Sequence, residues 1–311
     1  MGVRILSTTP EFDEMFARSK VTEMGPVTEV MTFDRKPNGP QCYRLSANTY
    51  CDMKTGEIRE CKHSESRADN LSSVRRTLAR VRALINTNVT IPENCRWVTL
   101  TYRENMTDRV RLYKDYKKFW QSFCRWCVGE GYGRPEYISV AEPQGRGAWH
   151  IHAFFIWSGP APFIPNNGVL EHLWSHGFTK VKAIRASWDN PGAYFTAYLA
   201  DIPANEVDKL PEDIKGRLKE IEIEMEDDSG IKLKKKFIKG GRLCMYPPGF
   251  NILRHSRGIK EPEIEWMSIR EAKEKVSSAK LTFSRSFEIV DDDGGRIRCT
   301  LSKEYYNSRR K

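Results

Sequence analysis

Apolar residues recur at helical spacing in two long segments of the chain, and each segment predicts a helix. The first helix begins near Asp69 or Asn70, either of which can serve as its N-cap. Its apolar positions are Leu71, Val74, Leu78, Val81 and Ile85. The second helix has an apolar stripe, interpreted as core, of Leu112, Tyr116, Phe119, Trp120, Phe123 and Trp126. A third helix is predicted from about Asp189 to Ala200.

Stretches rich in β-branched and aromatic residues predict four strands among these helices. They are residues 96–102, 136–141, 149–157 and 177–183. The connection 143–147 is short and contains two glycines, so the second and third strands are expected to form a hairpin. The order strand, helix, hairpin, strand, helix predicts an α+β protein with a central antiparallel sheet of about five strands flanked by helices.

The segments on either side of this α+β domain have a different character. Residues 1–65 contain turn signals and predict a small strand-rich N-terminal lead-in, which places the α+β domain at residues 66–205. Residues 206–311 form a C-terminal accessory region in which two hairpins are predicted, over 221–235 and 280–301. A helix is the alternative for the first of these two hairpins.

Charge and composition narrow the class of protein. The chain has 311 residues, a hydrophobic share of 39% and a net charge of +10, which favours a polyanionic partner such as nucleic acid or an acidic membrane surface. No apolar run is long enough to span a membrane, and the N-terminus lacks the apolar stretch of a secretory signal. Eight scattered cysteines fit a reducing cytoplasm, and no phosphate-binding loop motif supports ATPase or helicase activity.

His150 and His152 lie two residues apart on a predicted strand, so both imidazoles face the same side. Burying two imidazoles is unfavourable without compensation, which a metal commonly provides. Glu142 ends the preceding strand, where the hairpin turn can bring its carboxylate next to the rings. These ligands suit Mn²⁺ or Mg²⁺ acting as a Lewis acid, and they would also accept zinc or non-haem iron. Two half-exposed histidines without a metal are the alternative.

Tyr194 and Tyr198 are separated by one helical turn on the third helix, so their phenols share a face. A tyrosine nucleophile needs a phenol aimed at an electrophile whose charge a metal can stabilise. Two phenols on one face could therefore act as alternate nucleophiles. Ordinary amphipathic packing is the alternative interpretation of this spacing.

Taken in order, these motifs resemble the three motifs of the HUH endonucleases, and the likeness is closest to rolling-circle replication initiators of bacterial plasmids, phages and integrative elements. The segments that carry the resemblance are Thr99-Leu-Thr-Tyr102, Glu142-x-x-Gly145-Arg146-Gly147-x-x-His150-x-His152 and Tyr194-x-x-x-Tyr198. The resemblance covers roughly residues 40–205. It implies an HUH endonuclease fold for the α+β domain.

The resemblance implies a protein that binds a replication origin and nicks one strand of exposed single-stranded DNA. Glu142, His150 and His152 would hold the metal. Tyr194 or Tyr198 would attack the scissile phosphate, leaving a 5′-phosphotyrosine and a free 3′-OH, and would later take part in strand joining. A separate helicase, encoded by the host or the element, and a host DNA polymerase are the implied partners, in the bacterial cytoplasm and without a membrane.

Basic residues supply the predicted contacts with the DNA backbone, and such binding should weaken steeply with salt. They are Arg75, Arg76, Arg146, Lys180 and Lys182. Initiators of this type commonly carry a lysine three residues after each tyrosine, whereas this chain has Ala197 and Asp201 at those positions. Lys180 or Lys182, on the neighbouring strand, is the candidate for the missing positive charge.

Two alternatives to an initiator stay open. A conjugative relaxase or a single-strand transposase would use the same chemistry on a different DNA target. Relaxases usually place the tyrosines before the histidine motif, and single-strand transposases are much shorter than this chain. The other alternative is a non-catalytic DNA-binding protein that kept the fold, and the missing lysines are its main support.

Overall fold

The computed structural model divides the chain into two compact units. Unit 1 combines Met1–Ser64 with Pro262–Lys311, and unit 2 is Glu65–Glu261. The residues that the structure describes are 2–35, 42–61, 71–144, 147–166, 168–200, 202–203, 219–226, 232–239, 245–247, 249–290 and 296–310. Unit 2 extends well beyond the predicted domain end at residue 205, because its sheet takes a further strand from residues after 250.

Both units are rich in strands. The described strands are β1 (Gly2–Leu6), β2 (Arg18–Met24), β3 (Val27–Phe33), β4 (Cys42–Arg44), β5 (Thr49–Asp52), β6 (Ile58–Glu60), β7 (Cys95–Leu100), β8 (Glu136–Pro143), β9 (Trp149–Ile156), β10 (Thr179–Ala183), β11 (Ile202–Pro203), β12 (Lys219–Glu226), β13 (Lys232–Lys239), β14 (Leu253–His255), β15 (Glu263–Met267), β16 (Lys280–Val290) and β17 (Ile297–Asn307). The described helices are α1 (Leu71–Asn88), α2 (Arg109–Gly129), α3 (Val169–Trp174), α4 (Pro191–Ala200) and α5 (Ile269–Lys275). None of these described helices combines the length and the apolar character needed to cross a membrane.

Unit 2 is built around a five-stranded antiparallel sheet in the order β10-β7-β9-β8-β14. Strands β8 and β9 pair as the predicted hairpin, with Glu136 opposite Ile156 and Pro143 opposite Trp149. The predicted α+β class, with a central antiparallel sheet of about five strands and flanking helices, is confirmed. This architecture is consistent with an HUH-type fold.

Side chains of β9 alternate between the two faces of this sheet, and different helices cover the two faces. The ring of Phe155 lies 4.8 Å from that of Phe123 in α2. The ring of Phe154 faces the other way and lies 5.0 Å from that of Phe195 in α4. His150 and His152 share the alternation of Phe154, so the sheet directs both imidazoles to the α4 side.

A smaller three-stranded sheet in unit 2 has the order β11-β13-β12. Strands β12 and β13 pair antiparallel, and the register sets Glu222 opposite Lys236 and Glu224 opposite Lys234. Opposite charges at facing positions favour this pairing. The hairpin predicted within residues 221–235 is confirmed, and the alternative helix is wrong.

Unit 1 contains a six-stranded antiparallel sheet in the order β1-β16-β17-β3-β2-β15, so strands from both chain ends interleave. The hairpin β16–β17 confirms the prediction over residues 280–301 and extends it to Asn307. On one face of the sheet, Val21 and Val30 pack against Ala272 and Val276, which belong to α5 and the residue after it. A separate three-stranded sheet, β4-β5-β6, also belongs to unit 1.

Candidate metal centre and nucleophile helix

Glu142, His150 and His152 meet at the end of the β8–β9 hairpin that is nearer its connecting turn. The register places Glu142 directly opposite His150, and His152 follows two residues later, opposite Val140. One ligand atom from each of the three residues lies within 4.8 Å of the others. The structure therefore brings together the three residues that the sequence predicts as metal ligands.

This group of three is largely withdrawn from water. Glu142 and His152 are each 3% exposed, whereas His150 is half-buried. The Nε2 atom of His152 contacts the Oε2 atom of Glu142. A buried carboxylate and imidazole need a compensating charge or hydrogen bond, and two imidazoles with one carboxylate form a common ligand set for a divalent metal. The group can therefore hold a metal ion, and His150 is its member nearest to solvent.

Thr99 of β7 orients the ring of His152. The two residues are opposite each other in the β7–β9 pairing, and Oγ1 of Thr99 lies 3.1 Å from Nδ1 of His152. When a metal takes the Nε2 lone pair, the ring proton lies on Nδ1 and can be donated to this hydroxyl oxygen. Sequence reasoning places Thr99 in a motif without giving it a role, because the contact joins residues 53 positions apart.

We expect Thr99→Val to lower the affinity for Mn²⁺ about 10- to 100-fold, the range typical of a lost outer-shell hydrogen bond. Valine keeps the β-branched shape that favours a strand. The Nδ1 atom of His152 loses its contact with the Thr99 hydroxyl oxygen. Isothermal titration calorimetry with Mn²⁺ measures the change. Thr87→Val is the matched control, since the Thr87 hydroxyl bonds to the Ala83 carbonyl within α1. An unchanged affinity in Thr99→Val, or an equal loss in the control, would contradict this role.

Helix α4 lies on the histidine face of the sheet. Its Phe195 packs edge-on against His152, with ring centroids 6.0 Å apart. Tyr194 is half-buried on the same helix. Tyr198 follows one turn later in α4, and its side chain is outside the described residues. The predicted nucleophile helix thus packs directly on a predicted metal ligand.

Two tryptophans surround the ring of Tyr194. Trp188 stacks on it with a centroid distance of 4.6 Å, and Trp97 meets it edge-on at 6.0 Å. Such contacts restrict the rotation of the ring and so orient the phenol. Neither tryptophan belongs to one of the three sequence motifs. Trp97 lies in β7, and Trp188 lies in the connection before α4.

The start of α4 is held against α1 by the fully buried Asn86. The Asn86 Oδ1 atom accepts the N–H of Gly192 at 2.8 Å, and its Nδ2 donates to Oδ1 of Asn190 at 2.9 Å. The same Asn190 oxygen accepts the N–H of Ala193 at 3.0 Å and so caps the helix. A Cβ atom on residue 192 would lie 2.4 Å from the carbonyl oxygen of Arg82, so the helix approach requires glycine.

We expect Gly192→Ala to lower the free energy of unfolding by about 1–3 kcal/mol, because the new methyl group forces α4 away from α1. Urea unfolding measures this loss. Gly129→Ala is the matched control at the end of α2, where no atom lies within 4 Å of the added Cβ. That control should keep or slightly raise stability. Equal unfolding free energies for the two variants would contradict the close approach of α1 and α4.

The two predicted DNA-contacting lysines of β10 share the histidine face. The register sets Lys180 opposite Thr99 and Lys182 opposite Trp97. The Nζ atom of Lys182 lies 5.8 Å from the centre of the Trp97 ring, a distance typical of a cation–π contact. This is the ring that Tyr194 also meets, so the ammonium group and the phenol approach the same side chain.

Two of the predicted arginines, Arg75 and Arg76, belong to helix α1 of unit 2. Helix α1 buries Val74 and Leu78 and exposes Arg75 and Arg76. Both guanidinium groups therefore lie on an outer surface that a polyanion can reach. Arg146 lies outside the described residues.

Residues 95–202 match the model of a protein family described as replication-associated protein ORF2/G2P. The match covers about a third of the chain and includes all three predicted metal ligands and both tyrosines. No curated protein and no solved structure matches the chain. The match agrees with the resemblance of residues 95–202 to rolling-circle replication initiators.

Proposed function

We propose that this chain is a rolling-circle replication initiator, an endonuclease and strand transferase that nicks single-stranded origin DNA. The observation that carries the proposal is the convergence of Glu142, His150 and His152 on the sheet face that α4 covers. The two candidate nucleophiles, Tyr194 and Tyr198, belong to this helix. The match to a replication-associated family supports DNA as the substrate.

The three candidate ligands have separate tasks in this proposal. A Mn²⁺ or Mg²⁺ ion bound there would act as a Lewis acid on a phosphate oxygen and stabilise the charge that develops in the transition state. Glu142 contributes the negative charge, and His150 and His152 contribute neutral nitrogen donors. Thr99 keeps the Nε2 atom of His152 directed toward Glu142.

The nicking step is a transesterification at phosphorus. The phenol of Tyr194 or Tyr198 releases its proton to solvent, and its oxygen forms a bond to phosphorus. The bond between phosphorus and the 3′ oxygen breaks, and that oxygen takes up a proton. The products are a 5′-phosphotyrosine and a free 3′-OH that primes synthesis. In strand joining, a 3′-OH attacks the phosphotyrosine and the phenol is released, so the second tyrosine can serve termination.

Basic side chains bind and position the DNA in this proposal. Lys182 supplies the positive charge near Tyr194 that lysines usually supply on the nucleophile helix, because both side chains contact Trp97. Lys180 lies two residues away on the same face. Arg75 and Arg76 contact the DNA backbone from the exposed side of α1.

Other proteins complete replication. The chain carries no phosphate-binding loop motif, so a separate helicase opens the duplex and a host polymerase extends the 3′-OH. In this proposal the protein acts in the bacterial cytoplasm.

Covalent capture of DNA tests the function. The purified chain is incubated with labelled single-stranded DNA from the origin of its own replicon, with Mn²⁺, Mg²⁺ or EDTA. We expect the 3′-labelled strand to become attached to protein only with a divalent metal, and the 5′-labelled product to be extended by a polymerase. Origin binding without an adduct under any metal would contradict the proposal and favour a non-catalytic DNA-binding protein.

A further inference from the structure

We propose that unit 1 binds single-stranded DNA on the face of its six-stranded sheet opposite α5. This aromatic–basic face is defined by Lys20, Trp266, Phe283, Arg285, Lys303 and Tyr305. It is a second DNA-binding surface and goes beyond the proposed nicking function of unit 2.

The strand register places the cations of this face in one row. Each of the strands β15, β2, β3, β17 and β16 contributes one residue to this row, and each residue lies directly opposite the next. In this strand order the residues are Trp266, Lys20, Met31, Lys303 and Arg285. Directly opposite residues point to the same face, and neighbouring strands are about 4.8 Å apart. The row therefore spans about 19 Å, with three basic residues beside one exposed aromatic residue.

Aromatic pairs lie at both ends of this row. Trp266 is 45% exposed, and its ring centroid lies 5.6 Å from that of Phe33. Phe283 is 41% exposed, and its ring centroid lies 5.9 Å from that of Tyr305. Two large aromatic side chains that are almost half-exposed offer faces on which other flat groups can stack.

Ion pairs balance some of the charges on each face of the sheet. On the aromatic–basic face, Lys303 pairs with Glu29 at 2.6 Å. Among the described residues, neither Lys20 nor Arg285 has a carboxylate partner, and the Arg285 guanidinium lies 5.5 Å from the Phe283 ring centre. On the opposite face, which α5 covers, the edge strand β15 carries Glu263 and Glu265, and Glu265 pairs with Lys275 of α5 at 2.5 Å. Lys20 and Arg285 thus give the aromatic–basic face a local excess of positive charge.

This combination fits single-stranded DNA better than other polyanions. Basic side chains attract the phosphate backbone, and exposed aromatic rings stack on bases. In a duplex the bases are already stacked and paired, so only the phosphates would be engaged. The helix α5, the one helix described in unit 1, packs on the other face.

Fluorescence anisotropy with a labelled 20-nucleotide oligothymidylate and the full chain tests the proposal, in EDTA so that no covalent step occurs. We expect Trp266→Ala and Phe283→Ala each to weaken binding at least about fivefold. We expect the double variant Lys20→Gln, Arg285→Gln to reduce the slope of log affinity against log salt by about 1.4, or 0.7 for each phosphate contact. Phe163→Ala in unit 2, 85% exposed, and Lys273→Gln on α5 are matched controls.

Unchanged binding in the folded variants would overturn the proposal, as would equal competition by a 20-base-pair duplex. Circular dichroism establishes whether each variant is folded. If Trp266→Ala does not fold, binding by Phe283→Ala and by the double glutamine variant still tests the proposal. Light scattering without DNA is a further test, because it measures whether the chain forms a dimer. A dimer that Phe283→Ala dissociates would overturn the proposal, since the face would then join two copies of the chain. Binding in EDTA requires neither metal nor tyrosine, so its outcome is independent of the covalent capture experiment.

Discussion

Replacing both Tyr194 and Tyr198 by phenylalanine is expected to reduce covalent DNA adduct formation on the order of a thousandfold or more, as removal of a nucleophile does. The substitution deletes the oxygen that would attack phosphorus. For Tyr194 it keeps the ring that stacks on Trp188 and meets Trp97, so the packing of α4 should be preserved. The measurement is the yield of protein-attached, 3′-labelled DNA with Mn²⁺.

The single variants identify the nucleophile. If Tyr194 acts first, Tyr194→Phe removes the adduct and Tyr198→Phe retains it, and the reverse pattern assigns the role to Tyr198. Tyr132→Phe is the control, because this tyrosine is 43% exposed after the end of α2 and outside the candidate site. A double variant that forms the adduct at the wild-type rate would show that neither phenol is the nucleophile.

Removing one candidate ligand is expected to weaken Mn²⁺ binding at least about a hundredfold, the upper range for loss of an outer-shell partner. His152→Ala removes the imidazole that contacts the buried Glu142 carboxylate and leaves one donor fewer for the metal. At a Mn²⁺ concentration 100 times the wild-type dissociation constant, the wild type should gain about 2.7 kcal/mol of stability. The variant should gain well under 1 kcal/mol, which thermal unfolding with and without Mn²⁺ measures.

His172→Ala is the matched control for this loss of an imidazole. His172 is an exposed histidine of α3 and does not belong to the group of candidate ligands. The control should keep the full stabilisation by Mn²⁺. Equal stabilisation of His152→Ala and the wild type would contradict a metal site at His152.

Local sequence patterns predict the elements of unit 2 well, because each pattern reports on contacts within one element or one hairpin. Apolar spacing predicts α1 and α2, and β-branched runs predict the strands β7 to β10. Strand β14 has three residues, too few for an alternating pattern to be recognised. The pairing of β1 with β16 joins opposite ends of the chain, and no local signal indicates such a contact.

The contacts of the candidate site also divide into those that are local in the chain and those that join distant segments. The histidine pair follows from the two-residue period of a strand, and Glu142 follows from the hairpin, so both depend on short separations along the chain. The bond from Thr99 to His152 depends on the register of β7 against β9, and the tryptophans around Tyr194 depend on how α4 packs. Sequence patterns do not encode registers or packing angles, so these second partners become visible only in three dimensions.

Because the strands of unit 1 interleave, unit 1 can complete its folding only after unit 2 during synthesis on the ribosome. Unit 2 is continuous and has fully emerged once Glu261 leaves the exit tunnel, whereas β3 must wait for its neighbour β17, which ends at Asn307. During that interval β3 presents an unpaired edge that can associate with another chain. Ribosomes that stall after residue 261 would therefore release chains with a complete unit 2 and an aggregation-prone N-terminal segment.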